Sequence, residues 1–75
     1  MTKEDWERRD EALELLEQAK SILEDMLSDL EDRIYNIEEY FSSSPVLEKL
    51  ESRRDTVENV ISNIDDAISE LESME

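Results

Sequence analysis

The stretch Phe41-Ser42-Ser43-Ser44-Pro45-Val46-Leu47 decides how this chain folds. Pro45 disfavours helical geometry at Ser44, so a helix arriving from the N-terminal side has to end near Phe41. Pro45 is also well placed at the first position of a new helix, where its missing N–H removes no hydrogen bond. Ser44 then becomes the N-cap, its hydroxyl accepting from one of the first free N–H groups. The stretch therefore reads as a break between two helices: helix 1 over about 3–41, a turn at 42–45, and helix 2 over about 45–73. Residues 1–75 form a single helical hairpin. Thr2 can cap the first helix, with Asp5 as its capping-box partner.

Working outward, both flanks carry apolar residues at alternating spacings of three and four. The first runs Leu13, Leu16, Lys20, Leu23, Leu27, Leu30, Ile34, Ile37, Phe41, and the second Leu47, Leu50, Arg54, Val57, Ile61, Ile64, Ile68, Leu71. With Leu13 at a, these are heptad positions a and d, the signature of a coiled coil. A short turn between them makes the pair antiparallel. Folding about Ser43–Ser44 pairs residues whose numbers sum to about 87. Leu50 then falls near Ile37, Val57 near Leu30, Ile64 near Leu23 and Leu71 near Leu16. Residues 1–11, which carry Trp6, overhang.

The apolar stripe is wider than two strands use. Position g is apolar at Ala12, Ala19, Met26, Tyr40, Val46, Val60, Ala67 and Met74, and position c at Leu15 and Ile22. A wide stripe suits helices covered on two sides. The expected fold class is all-α: an antiparallel two-helix, coiled-coil-like hairpin that dimerises into a four-helix bundle. Trp6, Leu15, Ile22, Met26, Tyr40 and Val60 are the candidates for an interface with a second copy or a partner helix. Tyr40 and Phe41 read as core; Tyr35, at b, reads as a surface anchor. Arg54 at a core position, with Arg53 beside it and Arg33 opposite, reads as a polar layer that fixes register, with Glu51 and Glu58, or acids from a second chain, as counterions. The other reading is that the arginine stems cover apolar surface and carry their charges outward; the same choice applies to Lys20.

The net charge is −15. Residues 12–32 hold seven carboxylates against Lys20 alone, and 55–75 hold seven with no cation, so the open end of the hairpin carries −13 of it. Residues 33–54 are neutral. One reading is a solvated face. The other is a recognition surface, because helices built only for stability alternate Glu and Lys four apart, whereas here like charges accumulate. Glu24, Asp25, Asp29, Asp32, Glu58, Asp65, Asp66, Glu70 and Glu72 are the candidate partner-binding acids. A surface this negative repels nucleic acid and anionic lipid and attracts basic proteins.

Catalysis is not expected. With no His and no Cys, zinc sites, thiol nucleophiles and histidine acid–base chemistry are excluded, and with no Gly there is no phosphate-cradling loop. No cofactor or metal site is expected. No long apolar run and no basic-then-apolar leader are present, which gives the cytoplasm as the expected location.

The two heptad helices and short turn resemble the plasmid-encoded RNA-binding hairpin that dimerises into a four-helix bundle. That family binds RNA through a polar and basic face; the face here is acidic, so the likeness implies the fold and not the activity. In size and charge the chain resembles small acidic helical proteins of phages and mobile elements, anti-CRISPR and anti-restriction inhibitors among them. That likeness implies an inhibitor occluding a basic nucleic-acid-binding protein as a DNA mimic. The alternative is a structural adaptor or dimerisation module that binds a partner helix through the apolar stripe.

Overall fold

A computed structural model describes residues 1–40 and 44–75. It consists of two helices, α1 (Lys3–Tyr40) and α2 (Pro45–Glu72), with no strand among the described residues. Both begin on a side-chain cap. At α1 the Asp5 N–H donates to Thr2 Oγ1 at 3.1 Å while the Thr2 N–H donates to Asp5 Oδ2 at 3.2 Å, a reciprocal capping box. At α2 Ser44 is extended (φ −147°, ψ 138°), its hydroxyl accepts from the Val46 N–H at 3.2 Å, and Pro45 follows it. Most of the expected turn, and the core place expected of Phe41, lie outside the described residues.

The helices run antiparallel along the heptad seam. Leu30, Ile34, Leu47, Leu50 and Val57 form one buried cluster, with Leu23, Leu27, Ile37 and Ile61 packed against it. Every described a and d residue from Leu13 to Leu71 is buried or half-buried. The cluster is weighted toward the turn. In the open half only Ile68 is fully buried, among half-buried Leu13, Leu16, Leu23, Ile64 and Leu71. Lys20 interrupts the seam there, and its ammonium crosses to Asp65 of α2 at 2.7 Å. That contact adds a polar tie to the half-buried seam of the open half.

α1 is the longer helix. Its 38 residues, at about 1.5 Å each, account for the full 57 Å length of the molecule. α2 has 28, so the first turns of α1 project past its end. There Trp6 and Arg9 occupy the next a and d places. Arg9 lies over the Trp6 ring at 4.5 Å from its centroid and reaches Asp10 at 3.0 Å. The overhang covers its own indole with a neighbouring guanidinium.

Tyr40 departs from expectation. It is 76% exposed rather than core. Position g lies at the shoulder of the seam, and a ring there stands outside a two-helix contact.

Candidate functional site

In an antiparallel pair, the e positions of both helices flank one side of the seam and the g positions flank the other. The two flanks of this hairpin are chemically opposite. At e stand Asp10, Glu17, Glu24, Glu31 and Glu38 on α1, and Glu51, Glu58, Asp65 and Glu72 on α2, an unbroken acidic series. The Lys20 contacts show that both helices contribute to one flank. Its ammonium touches Asp65 at 2.7 Å and Glu24 at 3.9 Å, one acid from each helix. The hydrogen bond to Asp65 and that carboxylate's charge hold the Lys20 ammonium above its ordinary value of 10.5, partly opposed by burial, with Glu24 and Glu17 adding.

The acids picked from the sequence do not form one patch. Glu24, Glu58, Asp65 and Glu72 share the e flank. Asp25, Asp32 and Asp66 lie at f, on the outer backs of the helices, while Asp29 and Glu70 lie at c, beyond the opposite flank. All are exposed except half-buried Asp65. Asp10, Glu17, Glu31, Glu38 and Glu51 complete the flank and were not singled out. The signal for them was their common heptad letter; reading charge along the chain concealed a separation that runs across it.

The three arginines differ in burial. Arg54 is half-buried and turns to Asp55, with Nη2 to Oδ1 at 3.1 Å; that bond comes first in holding its guanidinium above its ordinary value, with Glu58 and Glu51 acting at longer range. The hydrogen-bonded counterion is the adjacent Asp55, while Glu58 and Glu51 contribute charge without a direct contact. Arg33 and Arg53 stand exposed at g, and neither forms an ion pair among the described residues.

The g flank is otherwise apolar, and on α1 it continues onto c. Leu15, Ile22 and Met26 are 57%, 68% and 45% exposed. Val46 and Val60 of α2 are exposed too, as is Tyr40 at the turn end of α1. Tyr35 is exposed on the back of α1, and Trp6 is half-buried in the overhang. A shallow depression along Glu48, Glu51, Ser52, Asp55, Thr56 and Asn59 is lined by α2 alone. A single convex helix face cannot enclose a ligand. Among the described residues no three acids are grouped to hold a metal ion, and no helix is long and apolar enough to cross a membrane.

No family model, no curated protein and no solved structure matches this chain.

Proposed function

We propose that this chain is a non-catalytic, acidic protein-binding module that inhibits a basic nucleic-acid-binding protein by occupying its cleft. The unbroken acidic e flank carries this reading. From Asp10 to Glu38 it extends about 42 Å along α1, comparable with about twelve duplex steps at 3.4 Å each. Acids at neighbouring e, b and f places stand about 5–6 Å apart, a spacing on the scale of phosphates along a strand. Two packed helices hold these charges in place, so little conformational entropy is lost when a cleft closes on them. Occlusion of this kind is steric and electrostatic, with fast, salt-sensitive association. It places the protein beside its target in the cytoplasm, as anti-CRISPR or anti-restriction inhibitors of phages and mobile elements act, and it uses no cofactor, no direct nucleic-acid contact and no membrane.

Capture from cell lysate, eluted along a salt gradient, tests the reading. The expected result is a basic nucleic-acid-binding protein that leaves at moderate salt and whose nucleic acid competes with the chain for it. Retention unchanged at high salt, or unchanged by Glu31→Lys/Glu58→Lys/Glu72→Lys, would overturn it.

The exposed Leu15, Ile22 and Met26 favour a second surface. Apolar residues in a continuous stripe mark an interface. We assign it to association of two hairpins into a four-helix bundle. An adaptor binding a foreign helix through the same stripe would instead give salt-tolerant capture that Ile22→Asp abolishes.

A further inference from the structure

We infer that two copies associate through an antiparallel α1–α1 contact, centred on Ala19, in a register fixed by the c/g stripe itself. This deepens the dimer part of the reading above and is independent of the acidic flank.

The stripe runs Ala12, Leu15, Ala19, Ile22, Met26 at spacings of three and four, a second seam beside the one that α2 fills. Only α1 carries it in full. The c positions of α2 are Lys49, Thr56, Asn63 and Glu70, so α2 has no matching second seam. A two-fold axis at Ala19 makes the stripe complementary to itself. Ile22 falls opposite the partner's Leu15, and Met26 opposite the partner's Ala12, so large meets small and equal meets equal. Ala19 opposes its own copy, where small side chains let the helices approach.

The match continues into the charges. One step further, Asp29 at c falls opposite the partner's Arg8, and Arg33 at g falls opposite the partner's Asp5. Each pairing occurs twice by symmetry. Arg33 thereby gains a carboxylate, having none within ion-pair distance among the described residues of its own chain. Among the described residues Arg8 pairs with Glu4, a pair exposed on both sides, which is readily re-aimed. Asp5 uses one oxygen for the Thr2 cap and has the other free. The N-terminal overhang, which projects past α2, would then lie along residues 29–33 of the partner. In a parallel arrangement the same residues would set Arg8 on Arg8, Asp29 on Asp29 and Arg33 on Arg33, with both methionines in one layer.

Light scattering of the full chain should give twice the 8.9 kDa chain mass. Ile22→Asp, at a side chain that α2 does not cover, should leave helicity intact and halve that mass. Asp29→Arg should weaken dimerisation at least tenfold, and Asp29→Arg/Arg8→Asp should restore it. The chain has no cysteine, so engineered thiols report register cleanly. Leu15→Cys mixed with Ile22→Cys should oxidise to a linked dimer, while either alone should not. A wild-type monomer, a dimer indifferent to Ile22→Asp, or self-linking of each single thiol variant would overturn the inference. A monomer that still captures a basic protein sinks this inference alone. A dimer that captures none sinks the inhibitor reading alone.

Discussion

The two flanks of the seam share the same two helices, turn and core, yet differ in almost everything else. The e flank is acidic at every place from Asp10 to Glu38 and from Glu51 to Glu72, and its acids are exposed except half-buried Glu51 and Asp65. From Ala12 onward the g flank is apolar except at Arg33 and Arg53, and on α1 it spreads onto c. Their costs differ accordingly. Aligned carboxylates repel one another and strain the folded state, while exposed Leu, Ile and Met invite association. A hairpin built only to be stable would distribute both liabilities around the helices. Their separation onto opposite flanks leaves one side to meet a basic surface and the other to meet an apolar one.

The largest effect should come from the seam that supports both flanks. Leu30→Ala removes buried contacts in the main cluster and should cost about 2–5 kcal/mol. In so small a core that is enough to unfold much of the population, seen as lost ellipticity at 222 nm. Both flanks would then fail together; a variant that stays helical would show that the turn-half cluster is not the main source of stability.

Next, Glu31→Lys/Glu58→Lys/Glu72→Lys should separate the flanks. Basic-partner binding should fall more than tenfold while the melting temperature holds or rises as self-repulsion is relieved. A drop in melting temperature would show that the acids are structural.

Ser44→Ala should cost about 0.5–2 kcal/mol through loss of the α2 cap. Thermal melts should show this as an equal loss on both flanks, without a change in partner preference.

The smallest effect belongs to Lys20, which among the described residues is the cation that bridges the e flank. Its folded pKa lies above the unfolded value of 10.5. Its contribution is therefore complete below pH 10.5 and is lost as pH rises through the raised folded value. Melting temperatures should decline over that alkaline range in wild type. Lys20→Met should flatten that decline, and Lys20→Glu/Asp65→Lys should recover more stability than Lys20→Glu alone. An unchanged alkaline decline in Lys20→Met would remove the bridge from the account.

Much of the hairpin was legible from local chemistry. Ser44-Pro45 announces a helix start because proline restricts the residue before it, and Thr2 with Asp5 announces another. The a and d places were readable because a seven-residue apolar repeat has one efficient way to be buried. Tyr40 was misread because the heptad letter gives direction but not depth, and a g residue is covered only if something lies beyond it. The partner of Arg54 was not legible for a related reason: a long side chain reaches whichever acid is nearest in space, and Asp55 is adjacent to Arg54. The candidate acids were chosen by their position along the chain, which mixed three faces of two helices.

By itself, the sequence determined two helices, their break and their buried stripe, since capping and periodic hydrophobicity act over a few residues. It also determined the sign of the surface, because charge follows from composition. Only the tertiary structure decided which charges stand together. Antiparallel pairing places e beside e and g beside g, and the Lys20 contact to Glu24 and Asp65 joins acids 41 residues apart in number on one flank. Sequence distance carries no information about such pairs until the register of the two helices is fixed.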